Sequence, residues 1–412
     1  MEYFFDQHFH LMDISHPNLI SFFSSIESGI TELFTSGALL PSYIITPKSR
    51  RSHTLLSRIT NTLTTFEQPI GHTLVMMEED LAGLFASHDD DAARPALPFI
   101  RDGKLHFRAR TYDKMAMCPM LMDFSSSPSS GQSLYYPTPK KEKILTYIDD
   151  TLAGFEYYHR KRPDGLFAFF PFVGINPPVH SRSFIEELLS TFVVTSSNQP
   201  KGKRRFYGIK VYPPLGFDPW PSDKEERDKV IAIYVFCNEH KIPIMTHCDD
   251  QGFRGLTAKE AWRVSEPDAW RPVLAQFPLL SIDFAHFGWQ YTPLQKNPLT
   301  VLSGLANKTP DSSWFYQITA LMKSYPNIYA DVSFSGANTD FYDELFNYLS
   351  NLEEEERETI TARILFGSDF SVNLMKVESY TSYYRLFEAS PFSDEEIHRF
   401  VQTNPLSYMG ML

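Results

Sequence analysis

An alternation constrains this chain more than any single residue does. Apolar runs of strand length fall at 3–10, 115–122, 166–175, 207–212, 242–247, 280–286, 328–332 and 364–368. Stretches with helical character lie between them and after them, at about 141–160, 183–193, 223–240, 268–277, 314–325, 341–349, 353–361 and 394–403. Strands that alternate with helices argue a parallel sheet with the helices packed outside it. Leu166-Phe167-Ala168-Phe169-Phe170 has no polar face, as a strand covered on both sides requires. Eight such units over 412 residues favour an α/β fold of the (β/α)8 TIM-barrel type over an open sheet. The whole chain, 1–412, then reads as one domain.

The first unit is the odd one. Residues 13–113 separate its strand from the second strand and read as an insertion, or a cap, within the barrel. Helical stretches are expected there at 17–34, 53–66 and 73–85, and a β-hairpin at 99–107, because Asp102-Gly103 between apolar flanks is a strong turn signal. The acidic run at 89–91 reads as a solvated loop. A Ser/Pro/Gly-rich segment, 125–133, has the composition of a surface loop or lid.

Composition narrows the class of function. The net charge of −12 argues against a nucleic-acid partner, which needs clustered Lys and Arg. No run is long and apolar enough to span a bilayer, and no basic segment precedes an apolar one at the start, so no membrane partner is expected. Three scattered cysteines, Cys118, Cys237 and Cys248, do not make a disulfide framework and fit a reduced, cytoplasmic setting. Homo-oligomerisation is left open.

In a TIM barrel the chemistry sits at the carboxyl ends of the strands. The first strand ends in His8-Phe9-His10, and residues i and i+2 of a strand share one face, so both imidazoles point the same way. Lys210 lies near the end of the fourth strand, His247 ends the fifth, His286 the sixth, and Asp369 follows the eighth. Each has an ordinary reading taken alone, as a surface lysine, a loop histidine or a turn cap. Five strands of one barrel delivering such residues to one end make a metal site the better account.

With these residues in this order the chain resembles the amidohydrolase superfamily of metal-dependent hydrolases. Gly208-Ile209-Lys210-Val211-Tyr212-Pro213, Tyr329-Ala330-Asp331-Val332-Ser333 and Thr403-Asn404-Pro405 resemble the subgroup that also contains decarboxylases. The resemblance implies a metal held by His8, His10, His247 and Asp369, zinc or another divalent ion. It implies a second metal, left open, that would involve His286 and a carboxylated Lys210. Asp369 and His286 become the catalytic pair: Asp369 takes a proton from water, and His286 faces the developing oxyanion.

The expected reaction is hydrolysis of an amide, lactone or ester bond in a small-molecule substrate. The alternative is non-oxidative decarboxylation of an aromatic or enoate acid on the same site. Arg254 is a candidate partner for a substrate carboxylate and Trp289 a candidate pocket wall. Cys248 is rejected as a ligand because it should point away from His247 in the strand. No Gly-rich phosphate loop, GxSxG elbow or CxxC pair competes.

Overall fold

A computed structural model describes residues 1–13, 15–16, 62–84, 97–125, 143–195, 198, 200–250, 252–290, 313–338 and 340–411. The helix expected at 17–34, most of that at 53–66, the acidic run at 89–91 and nearly all of the loop at 125–133 lie outside the described residues.

Eight parallel strands form the barrel: β1 (Tyr3–Phe9), β2 (Lys114–Pro119), β3 (Phe167–Phe169 and Phe172–Gly174), β4 (Gly208–Val211), β5 (Ile244–Thr246), β6 (Ile282–Phe284), β7 (Ile328–Asp331) and β8 (Ile364–Leu365). Pro171 has no N–H to give to a ladder, and β3 breaks there. Its first half pairs with β2 and its second half with β4. Pairing then runs in order from β4 to β8. The ring closes where Gln7 N donates to Phe366 O (2.9 Å) and Asp369 N to His8 O (2.7 Å). The fold is a TIM barrel.

Two cores follow from this closure. Phe5, Ala116, Cys118, Met120, Phe172, Met245, Tyr329 and Leu365 fill the lumen, and Tyr408 and Met409 plug it. Leu365→Ala, a cavity in that lumen, would cost roughly 2–5 kcal/mol. A larger core lies between strands and helices, with Trp270 and Trp314 fully buried in it.

The helices start where local chemistry allows. Asp223 caps Lys224–His240 by accepting from Glu226 N, and acidic Glu225 and Glu226 occupy its first turn. Thr257 and Glu260 form a capping box on a helix not anticipated above, Ala258–Ser265.

In the described part of 13–113, a helix packs on the barrel's outer helices and a small antiparallel sheet forms. Helix Ile70–Leu81 packs against Lys143–Lys161, with Gly154 in contact range of Ile70, and Asp80 accepts from Thr381 N. This is the place of the barrel's own first helix. The expected hairpin forms, with Asp102 and Gly103 both at positive φ, and a third antiparallel strand, Arg110–Tyr112, extends it. Asp113 N bonds Glu2 O, so this small sheet sits beside the amino end of β1, away from the catalytic end. Among the described residues no helix is long and apolar enough to cross a membrane.

Candidate metal centre

Simple alternation along β1 would put His8 on the wrong side. Phe5 belongs to the lumen, and Gln7 reaches Met409 Sδ there (3.5 Å). Phe4 packs in the outer core, and Asp6 meets Tyr380 Oη on the outside (2.7 Å). The register with β2 resolves this. Asp6 pairs with Met117 and Phe9 with Pro119, so β1 spends three steps where β2 spends two. That extra residue is a β-bulge. It turns His8 and His10 into the lumen mouth and sends Phe9 outward.

Hydrogen bonds then assign the protons. His10 Nδ1 donates to Met120 O (2.9 Å), and His8 Nδ1 donates to Asp331 Oδ2 (2.9 Å). Both Nε2 atoms are left as acceptors, only 3.3 Å apart. Asp369 Oδ1 lies 3.2 Å from His10 Nε2 and 3.6 Å from His8 Nε2, buried and without a hydrogen bond. Burial, followed by the Lys210 charge, holds both histidines well below their usual pKa and so neutral. Two imidazole nitrogens and a carboxylate oxygen converge, an arrangement that fits a divalent cation.

Lys210 completes this half of the site, with Nζ 3.4 Å from His8 Nε2. Burial pulls its ammonium down to about 8. Burial pushes the Asp369 carboxyl upward.

His247 and His286 form the other half. His286 Nδ1 donates to Ser333 O (3.1 Å), and His247 Nε2 faces Asp249 Oδ1 (2.9 Å). Their remaining nitrogens, His286 Nε2 and His247 Nδ1, are 3.3 Å apart. Tyr212 stacks on the His247 ring at 4.3 Å. Among the described residues, His8, His286 and Asp369 also close to within 4.8 Å, as do His247, Asp249 and His286. His286 belongs to both.

His286 sits at φ 61°, a conformation that favours glycine. It is held there by its N–H on Asp331 Oδ1 (3.1 Å) and by Ser335 Oγ on its carbonyl (2.7 Å). Ser333 Oγ lies 2.9 Å from His8 Nδ1 and 3.0 Å from His286 Nδ1, and it donates to Asp331 Oδ1. Burial would raise the Asp331 carboxyl, but His8 and its hydrogen bonds hold it below the usual range.

The structure thus brings His8, His10, Lys210, His247, His286 and Asp369 together at one end of the barrel. Arg254 lies near them, half-buried, donating to Asp250 O (2.5 Å) and lining a narrow cleft with Asp249. Trp289 lies elsewhere. It meets Phe341 edge-on and lines a separate cavity whose described walls include none of the metal-centre residues. Cys248 Sγ donates to Ser265 O (3.5 Å), away from the cluster.

Sequence reasoning passed over Asp331, Ser333 and Asp249 as site residues. Asp331 carried a usable signal. It ends the seventh strand, the same kind of position that singled out the other residues.

Residues 159–407 match the family model described as amidohydrolase. No curated protein sequence matches the chain. Among solved structures, a probable 2-pyrone-4,6-dicarboxylic acid hydrolase from Acinetobacter baumannii with citric acid bound is 11% identical, with 99% of each chain covered and a TM-score of 0.43. A dihydroxybenzoic acid decarboxylase from a Polaromonas species, with bound manganese and 2-nitroresorcinol, is 10% identical (100% and 97% covered, TM-score 0.45). An amidohydrolase from Burkholderia multivorans with bound zinc is 10% identical (100% of each chain, TM-score 0.44).

Proposed function

The chain belongs to the amidohydrolase family of enzymes, and on that premise we propose that it is a metal-dependent hydrolase of a small-molecule amide, lactone or ester. The observation that carries this reading is the convergence of His8 Nε2, His10 Nε2 and Asp369 Oδ1 within 3.2–3.6 Å of one another.

In this proposal His8, His10 and Asp369 hold a divalent cation, zinc in the first instance, and His247 offers Nδ1 from the facing side. Such a cation supplies polarisation of the scissile carbonyl and acidification of a water. Asp369 takes that water's proton and returns it to the leaving group. Its burial and raised pKa suit a group that must both accept and give a proton near neutrality. His286, held by Ser333 and Asp331, faces the oxyanion as it develops. Lys210 and His286 are the residues that a second cation would engage, with Lys210 carboxylated. Arg254 pairs a substrate carboxylate.

Turnover of amide, lactone and ester panels in 18O-water tests the reading. Incorporation of one 18O into the acid product is the expected result. Carbon dioxide release from an aromatic or enoate acid, with no water added, would assign the site to decarboxylation instead.

A further inference from the structure

At the amino end of the barrel, opposite the metal centre, the wall has a gap. Only the second half of β3 pairs with β4, so no strand closes the sheet beside Phe167–Phe169. A groove of about 930 Å³ opens there, between helix Lys143–Lys161 and the segment that leads into β4. Tyr3, Lys114 and Phe167, at the starts of β1, β2 and β3, are among its walls. Phe155 and Phe169 stack on each other at 4.1 Å and give it a rigid apolar side. The volume lies within the ~300–1,000 Å³ of small-molecule sites.

The charged groups are more informative. Lys114, His159, Lys203 and Arg205 line the groove, on a chain whose net charge is −12. Lys203 pairs with Asp149 (2.6 Å), but among the described residues no carboxylate pairs with Lys114, His159 or Arg205. Lys114 Nζ donates to Gly165 O (2.5 Å) and Arg205 Nε to Gly202 O (3.1 Å). Those bonds anchor both side chains and leave the Arg205 η nitrogens and the other Lys114 N–H groups to donate. Burial, then the charges of Lys114 and Arg205, lower the His159 pKa, so both cations reach that imidazole. Converging positive charges cost free energy that a bound anion would recover. Glu156 is the one remaining carboxylate of the described walls, so cations prevail.

We propose that this groove binds a phosphate monoester of a small organic molecule, with the phosphate among Lys114, His159 and Arg205 and the carbon body against Phe155 and Phe169. Phosphate suits these donors better than a planar carboxylate does. They arrive from three elements, β2, helix Lys143–Lys161 and the lead into β4, and a tetrahedral group turns an oxygen toward each. The site is distinct from the metal centre and stands whether or not the chain is a hydrolase.

Isothermal titration of the full-length protein at low salt tests this, with phenyl phosphate as probe and inorganic phosphate and benzoate as comparators. Because a bound metal can itself hold phosphate, the titration is run on metal-loaded and on chelated protein. Saturable binding of phenyl phosphate is expected in both, weakening as salt is added, with weaker binding of either comparator to the chelated protein. There Arg205→Gln should weaken phenyl phosphate about tenfold, the worth of a charge-assisted hydrogen bond. Arg205 is exposed, so this variant should melt as the wild type does; Lys114→Gln serves in its place if it does not. Absence of saturable binding, its loss on chelation, or equal affinity in wild type and variant would each overturn the proposal. So would inorganic phosphate or benzoate binding the chelated protein as tightly as phenyl phosphate.

Discussion

His8 Nδ1 lies 2.9 Å from Asp331 Oδ2, and that contact decides which His8 nitrogen is free to bind a cation. The carboxylate accepts only, so the proton stays on Nδ1 and Nε2 faces His10 and Asp369. Asp331 has no lone pair aimed at the cluster to spare: its other oxygen takes His286 N, Ser333 N and Ser333 Oγ. One side chain thereby orients two histidines from strands on either side of it.

Asp331→Ala should therefore lower metal affinity without emptying the ligand set. Loss of such outer partners commonly costs 10–100-fold in affinity. Competition of the purified variant against a chromophoric chelator measures it. Affinity equal to wild type would show that His8 needs no orienting partner.

Gly367 makes a second, purely steric demand. A Cβ there would sit 2.6 Å from His8 Cβ and 3.0 Å from His8 N. Neither atom belongs to a flexible chain end, so β1 and β8 would have to part where Asp369 N bonds His8 O. Gly367→Ala should cost about 1–3 kcal/mol, as overpacking does, and reduce bound metal in the same variant. Gly103→Ala is the control: a Cβ there meets nothing within 4 Å. Its strain at φ +69° should lower the melting temperature slightly and leave metal content untouched.

Lys210 separates one-metal from two-metal chemistry. Its Nζ is 3.4 Å from His8 Nε2, and burial draws its pKa toward neutrality, so a fraction is free amine able to take up carbon dioxide. Lys210→Met should keep the first equivalent of metal, held by His8, His10 and Asp369, and lose any second. Elemental analysis of both proteins reads this directly. Loss of all metal in the variant would place Lys210 among the essential ligands.

The parts legible in the sequence were those with local signals. Seven of the eight barrel strands lie within the apolar runs and β2 starts one residue before its run, at Lys114; the Asp102-Gly103 turn forms as its residues require. His8 and His10 share a face, as their spacing implies. Which face they share depended on the bulge opposite Met117 and Pro119, a property of the β1–β2 pair that β1 alone does not encode. Ser333 and Asp249 act through contacts with histidines 47 and 2 residues away in sequence, which neither the motif around Ser333 nor the loop around Asp249 spells out. Helix Tyr380–Glu388 was missed although Tyr380, Tyr383, Tyr384 and Phe387 follow helical spacing. Its aromatic residues favour strands by propensity, and packing against Phe4 and Phe366 decides the outcome.

Metal removal gives the broadest test, because it reads the site through stability rather than turnover. The converging lone pairs of His8, His10 and Asp369 repel one another when nothing lies between them. A cation that binds the folded chain alone stabilises it by RT ln(1 + [L]/Kd), about 4 kcal/mol when free metal is a thousandfold above Kd. Wild-type protein should therefore lose several degrees of melting temperature on exhaustive chelation and regain them with added zinc. In His8→Ala/His10→Ala two of the three lone pairs are gone, so chelation should leave its melting temperature where it was. A double variant that still responds to chelator and zinc as the wild type does would move the metal off these residues, whatever the enzyme turns out to cleave.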